Sequence, residues 1–147
     1  MNKKGIISIL LIAFSTLTFA QKHNIVNASI SLRNAKKATA DDINLHLSEA
    51  KEFIDEAYNT ESTSNEPKMW NYRAPIYLEI ALKKPEIDPL AIFKSKEAHI
   101  KCLQKDKKDR IIVRKWTSEE DILAGLVQCG YKLFNLGIDK YNSEEYA

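Results

Sequence analysis

The stretch from Pro67 to Leu82, which reads PKMWNYRAPIYLEIAL, constrains the fold more than any other part of the chain. Its apolar residues recur at intervals of four, three and four, a repeat that aligns side chains along one face of an α-helix. This stripe consists of Trp70, Ala74, Tyr77 and Ala81. A helix this short draws most of its stability from packing of its apolar face. The stretch therefore predicts a helix that other parts of the chain must cover.

Other segments have the same helical periodicity. Residues 43–57 repeat apolar positions at intervals of four and three, and residues 24–35 do so more weakly. Asp88-Pro89 has the residue order that opens a helix, and Thr117 with Glu120 has the spacing of a capping box. The segment after this box carries a long apolar stripe made of Leu123, Leu126, Val127, Gly130, Leu133, Phe134, Gly137 and Tyr141. Each of these segments predicts an amphipathic helix.

The residues between the predicted helices argue against a β-sheet. Only three glycines follow residue 20, which is too few for the tight turns of a sandwich or barrel. The one β-like run, RIIVRKW from Arg110 to Trp116, has no second strand to pair with. We expect it to be an extended connector whose apolar residues cover a helix end. The fold class predicted from the sequence is all-α.

The first twenty residues have the organisation of a secretory signal peptide. Lys3 and Lys4 form a positive start, residues 6–19 are mostly apolar, and Ala20 is a small residue before the expected cut at Gln21. A retained membrane anchor is the alternative, but the apolar run is shorter than the ~20 residues that a spanning helix needs. We therefore expect cleavage after Ala20, a mature chain from residue 21 with no stable membrane span, and a periplasmic or secreted location.

The charge of the mature chain argues against nucleic acid as a partner. The full sequence has 22 basic and 20 acidic residues, and the predicted signal peptide contains two of the lysines and no acid. Removing it leaves a neutral chain without a dense basic run, whereas nucleic-acid binding needs clustered lysines and arginines. The basic cluster at residues 105–110, KDKKDR, alternates with acids and is typical of a solvated turn.

No residue pattern points to catalysis or to a metal or cofactor. The histidines His23, His46 and His99 are scattered, without the i and i+4 spacing or the HExxH motif of zinc sites. A GxSxG nucleophile motif is also missing from the sequence. Cys102 and Cys129 are the only cysteines, and after export they could form a disulfide or could each be a small buried hydrophobe. The prediction is a protein that is not an enzyme, with no catalytic residue, metal ligand or cofactor.

With its large aromatic, small residue and tyrosine at Trp70, Ala74 and Tyr77, the central stretch resembles the first helix of a tetratricopeptide repeat (TPR). Second helices of this family carry small residues seven apart, a pattern matched before the stretch by Ala50 and Ala57 and after it by Ser95 and Cys102. A third match, in residues 131–147, has Gly137 as the small residue and Tyr146 as the aromatic that opens a second helix.

The resemblance covers most of residues 24–147 and implies one partial, one full and one truncated repeat. It implies antiparallel helix pairs stacked as a short solenoid in a single TPR-like domain from residue 21 to residue 147. Equivalent positions lie farther apart than the ~34 residues of this repeat class, so insertions at residues 59–66 and 105–117 must make the solenoid irregular. An irregular secreted helical bundle is the alternative.

TPR proteins commonly act as scaffolds and adapters, so the resemblance implies a role in protein–protein interaction. With the predicted export, the expected partner is a protein or peptide of the cell envelope. The groove positions that it implies are Lys68, Asn71, Pro75, Leu78 and Glu79 in the central repeat, and Phe134, Ile138 and Tyr141 in the last repeat. Pro75, Phe134 and Ile138 do not match repeats that grip a terminal carboxylate, which favours an apolar or mixed peptide. The alternative function is an N-terminal docking region of a larger envelope protein or enzyme.

Overall fold

A computed structural model of the protein describes residues 23–40 and 42–143. These residues form five α-helices joined by turns, and the described part of the chain has no strand, only an isolated bridge between Lys105 and Ile111. The all-α prediction is confirmed. The predicted signal peptide and Tyr146 lie outside the described residues. None of the helices within the described ranges combines the length and the apolar character needed to cross a membrane.

The five helices follow the predicted periodic segments closely. They are α1 (23–37), α2 (Ile43–Asn59), α3 (Pro67–Lys83), α4 (Ala91–Cys102) and α5 (Glu119–Asn142). In α2 the repeating apolar positions Leu47, Ala50, Ile54 and Ala57 are all fully buried. The spacing in the sequence therefore identified the face of α2 that enters the core.

Helix α3 lies at the centre of the molecule and contacts α2, α4 and α5. Its predicted stripe of Trp70, Ala74, Tyr77 and Ala81 is buried, and so are residues on its flanks such as Met69, Ile76 and Ile80. Pro67 occupies the first turn, where the missing N–H has no helical partner to lose. Because several helices surround it, α3 buries more of its circumference than one amphipathic face.

Two helix starts differ from the prediction by one or two residues. The capping box of α5 is formed by Ser118 and Asp121, not by Thr117 and Glu120, because the Ser118 hydroxyl accepts the Asp121 N–H at 3.1 Å. Asp88 does not cap a helix directly. Its carboxylate instead accepts the Leu90 N–H at 2.9 Å in a local turn, so α4 begins at Ala91.

The contact between α2 and α3 contains a buried charge. Arg73 is 4% exposed, and its guanidinium donates to Asp55 Oδ1 at 2.7 Å and lies over the rings of Tyr58 and Tyr77. The Tyr77 hydroxyl donates to the same carboxylate oxygen at 2.5 Å, and Lys51 donates to Oδ2 at 2.9 Å. Burial raises the pKa of Asp55, but the hydrogen bonds outweigh it and hold the pKa below its usual value. Asp55 therefore stays ionised and joins the two helices.

The connector from Arg110 to Trp116 is a series of turns and not the extended chain that the sequence predicted, because its backbone bonds within itself, with the Trp116 N–H donating to the Val113 carbonyl at 2.9 Å. Its apolar residues still cover the core. Ile111 and Val113 are buried although no strand forms in the described residues. Asp106, at the turn before it, accepts from Arg110 and from Arg114, both at 3.0 Å. The charged cluster at residues 105–110 is thus held largely by its own ion pairs on the surface.

Candidate functional site: a cleft between α3 and α5

A cleft of about 350 Å³ opens between α3 and the first half of α5. One wall is formed by α3 and the other by α5, while His99 of α4 lies at the base and Lys36 of α1 at the rim. The cleft thus brings together side chains from four of the helices in the described chain. Its volume is within the range of ligand-binding clefts in proteins.

The α3 wall carries three residues that the sequence placed in the groove. Asn71, Pro75 and Leu78 follow one another at intervals of four and three, so they lie on one face of α3 and line the cleft together. Pro75 has no N–H to donate to the carbonyl of Asn71, one turn earlier. This wall therefore offers a side-chain amide, a backbone carbonyl without its usual helical donor, and an apolar surface.

The base of the cleft is a buried histidine with a defined tautomer. His99 is 5% exposed, and its Nδ1 lies 2.9 Å from the Ser95 carbonyl, which can only accept a hydrogen bond. Nδ1 therefore carries the proton and Nε2 carries a lone pair. Burial lowers the pKa of His99, against the opposing effect of this hydrogen bond, so the ring is neutral at neutral pH.

Helix α5 can lie over His99 because Gly125 has no side chain. A Cβ at Gly125 would be 2.1 Å from Nε2 of His99, closer than two such atoms can approach. The same contact includes Ser95, whose hydroxyl donates to the Ala74 carbonyl at 2.9 Å and accepts from Cys129 Sγ at 3.4 Å. The contact of α4 with α3 and α5 therefore depends on small, uncharged groups.

The structure leaves both cysteines as buried free thiols. Burial raises the pKa of Cys102 to about 12 and also raises the pKa of Cys129. The sequence left two alternatives for Cys102 and Cys129, a disulfide or two small buried hydrophobic residues. The structure has the second. Cys129 contributes to the packing beneath the cleft and does not line it.

The α5 wall combines an apolar centre with polar ends. Ile122 lies next to Gly125, and Gln128 extends the wall by a further turn. Asp121 also lines the cleft, but its carboxylate is engaged at the start of α5, where it accepts from the Ser118 hydroxyl at 2.9 Å. The wall also presents the neutral amide of Gln128, which is exposed.

The remaining predicted groove residues lie elsewhere. Lys68 is half-buried in the first turn of α3, and Glu79 pairs with Lys83 at 2.7 Å and with Lys36 at 3.9 Å. Phe134, Ile138 and Tyr141 are exposed on the second half of α5, away from the cleft. The structure therefore brings Asn71, Pro75 and Leu78 together and separates them from the other five positions.

Sequence reasoning missed the contributions of His99, Gly125 and Gln128 to this site. Gly125 gave a usable signal, because a glycine inside a helical pattern is disfavoured unless a close approach requires it. His99 gave a weaker one through Ser95, one helical turn earlier on the same face. Gln128 gave none, since an exposed glutamine on a helix is common.

Within the described ranges, no three histidine, cysteine, aspartate or glutamate side chains come together as a set of metal ligands. No protein-family model, characterised protein or solved structure matches this chain. What the chain binds has to be inferred from the chemistry of the cleft.

Proposed function

We propose that this protein is a non-catalytic adapter of the cell envelope that holds a peptide segment of another envelope protein in the cleft between α3 and α5. One observation carries the proposal: Asn71, Pro75 and Leu78 line one wall of a cleft whose other wall presents Ile122 and Gln128. Each wall carries a side-chain amide, which can bond the backbone of a bound peptide, and an apolar residue, which can contact the side chains of that peptide.

The polar groups of the cleft favour an extended peptide of low charge. The amides of Asn71 and Gln128 each carry a donor and an acceptor, so they match the N–H and C=O groups of a peptide backbone. The neutral Nε2 of His99 adds an acceptor at the base. Leu78 and Ile122, which also line the cleft, favour an apolar side chain of the ligand. Lys36 is the one cation among the lining residues, a poor match for a clamp on a terminal carboxylate.

In this proposal the helices of the protein pair as a short, irregular TPR-like stack. Support comes from the small residues seven apart, since Ala50 and Ala57 of α2 and Ser95 and Cys102 of α4 are all buried. Small buried side chains let neighbouring helices approach closely, which stacked repeats require. By this interpretation α3 and α5 are the groove-lining helices of successive repeats.

The location rests on the signal peptide predicted for residues 1–20. The test is the intact mass of the native protein recovered from the cell envelope. A species that begins at Gln21 is the expected result, and a protein that keeps Met1 and stays with the cytoplasmic fraction would contradict the proposed location.

The peptide site is tested by selecting binders from a random displayed peptide library and measuring their affinity for three forms of the protein. Gln128→Lys places a large cation on the α5 wall and should weaken binding by about tenfold or more. Asn135→Lys makes the same change at an exposed position of α5 outside the cleft and should leave binding unchanged. Equal affinities in all three forms would contradict a site in this cleft.

A further inference from the structure

Helix α5 exposes a continuous apolar face from Val127 to Tyr141. We name its five residues the outer stripe: Val127, Tyr131, Phe134, Ile138 and Tyr141, at intervals of four, three, four and three. Tyr131, Phe134 and Tyr141 are 68%, 66% and 77% exposed, and Val127 and Ile138 are exposed as well. Such a continuous apolar patch on a surface is typical of an interaction site.

Helix α5 has three distinct faces, and the outer stripe is separate from the other two. The core face carries Ile122, Gly125 and Cys129, which are buried against the rest of the molecule. A polar face carries Gln128, Asn135, Asp139 and Asn142, all exposed. Because a helix on the surface of a globular protein needs only one apolar face, the outer stripe is not explained by the fold of a single chain. None of its five residues lines the peptide cleft, although Gln128 of the cleft wall directly follows Val127 in the chain.

Two glycines border the outer stripe. Gly130 and Gly137 are seven residues apart, and a Cβ added at either one would have no atom within 4 Å in the described structure. Glycine is disfavoured inside a helix, and its usual advantage is to let another backbone come close. Nothing within the described chain uses that advantage here. The glycines and the outer stripe therefore fit one occupant, a helix that packs closely along α5.

We propose that the occupant is the outer stripe of a second copy of this chain, packed antiparallel. Intervals of four and three are those of the apolar seam of a coiled coil. In one antiparallel register Val127 faces Ile138 of the other copy and Tyr131 faces Phe134, and the two-fold axis repeats both contacts. Each contact then joins an aliphatic pair or an aromatic pair, so the stripe is complementary to itself.

The helix dipoles and the acidic first turn favour the antiparallel orientation. The first turn of α5 carries Glu119, Glu120 and Asp121. A parallel pair would place the three acids of one copy against the three acids of the other, and like charges at close range repel. An antiparallel pair places the two acidic first turns at opposite ends of the contact and also opposes the two helix dipoles.

The surface available is sufficient for a specific dimer. An aromatic side chain buries roughly 150–250 Å² when it leaves water completely, so the three exposed aromatics still offer about 100–170 Å² each. Two copies together therefore bring about 600–1,000 Å² of aromatic surface to the contact, before Val127 and Ile138 are added. A specific interface needs about 1,000 Å² in total.

The first test is the oligomeric state of the protein, expressed from its full sequence, by sedimentation equilibrium over a series of concentrations. We expect a dimer whose dissociation constant rises at least about tenfold in Phe134→Glu. Lys140→Glu introduces the same side chain at an exposed position of α5 outside the outer stripe and should dimerise like the wild type. Circular dichroism checks that all three forms keep their helices. A wild type that is monomeric at every concentration would overturn the proposal, as would equal dissociation constants in the three forms.

The second test fixes orientation by cross-linking. Val127→Cys and Ile138→Cys are oxidised separately and as a mixture. Cys102 and Cys129 are buried, so the introduced thiols are the accessible ones. The antiparallel register predicts a disulfide between the two variants in the mixture and little cross-linking of either variant alone. Cross-linking of each variant with itself would show a parallel pair and overturn the proposed arrangement.

Discussion

The contact between α2 and α3 and the contact between α4 and α5 bury similar apolar helices by opposite means. The first joins a buried arginine, a carboxylate and two tyrosine rings, whereas the second joins a glycine, a serine, a thiol and a neutral histidine. The contact between α2 and α3 depends on the hydrogen bonds and ion pair of its charged groups. The contact between α4 and α5 depends on the absence of a side chain at Gly125. They should therefore fail under different substitutions and at different pH, and the predictions below test this difference.

The largest expected effect is the loss of Asp55. Asp55→Ala leaves the buried guanidinium of Arg73 without its carboxylate, and removing one partner of a buried ion pair costs about 3–5 kcal/mol of unfolding free energy. Nε of Arg73 already lacks an acceptor in the described structure, so little can compensate. Chemical denaturation measures the change. The control is Lys51→Ala, which removes only a partly exposed pair on one helix and should cost about 0.5 kcal/mol. Equal losses would show that Arg73 does not depend on Asp55.

The contact between α4 and α5 should be most sensitive to an added methyl group. Gly125→Ala forces a Cβ against the His99 ring, and overpacking of this kind costs about 1–3 kcal/mol. Gly130→Ala is the matched control on the same helix, where the methyl meets nothing and should stabilise the helix by up to about 1 kcal/mol. Denaturation curves in dilute solution compare the two. A neutral or stabilising Gly125→Ala would show that His99 can move aside freely.

A smaller effect is expected at the start of α5. Ser118→Ala removes the hydroxyl that accepts the Asp121 N–H, and loss of such a cap costs about 1 kcal/mol. Thr117→Ala, one residue earlier, tests the capping box that the sequence predicted and should cost less, because the structure assigns the cap to Ser118. A larger loss at Thr117 than at Ser118 would reverse the assignment.

The smallest expected effect is a difference in pH dependence between the two contacts. Burial lowers the pKa of His99 below its ordinary value of 6.5, so the unfolded chain takes up a proton that the folded chain resists. The stabilising effect of a neutral His99 is present above that value and is lost as the pH falls below it. The pKa of Asp55 is also lowered, and its contribution is lost only as the pH falls below its ordinary value of 3.8. Melting temperatures between pH 7.5 and pH 5 should fall less in His99→Asn than in the wild type, and equal slopes would contradict the prediction.

The sequence predicted helices well where apolar residues recur at helical intervals. The intervals in α2 and α3 named residues that the structure buries, although α2 also leaves Leu45 exposed and α3 also buries Met69 and Ile76 outside its stripe. In α5 the predicted stripe combined two faces, since Leu133 packs against the core while Val127 and Phe134 are exposed. Periodicity shows which residues share a face. It does not show which of two apolar faces the rest of the chain will cover.

The cleft was predicted only in part for a related reason. Asn71, Pro75 and Leu78 were predicted from the TPR resemblance and lie on one face of α3, whereas Lys68 and Glu79, predicted in the same way, do not line the cleft. His99, Gly125 and Gln128 come from other helices, and they join the site only through the close contact of α4 with α5. The capping box was misplaced by one residue because Thr117 and Ser118 are both good caps, and the local sequence alone does not distinguish them.

The polar segment between α2 and α3 has a further consequence for how the protein will be cut by proteases. Thr63 in its middle is completely buried, and its hydroxyl donates to the Ala57 carbonyl at 2.6 Å at the end of α2. A protease cleaves a segment that can unfold locally and enter its active site. The buried Thr63 and its hydrogen bond hold this segment against the core and oppose such unfolding. The exposed turn that includes Lys107 and Lys108 has no such anchor on the core. Limited treatment with a protease of broad specificity, such as proteinase K, should therefore separate α5 from an intact α1–α4 unit before it separates α2 from α3.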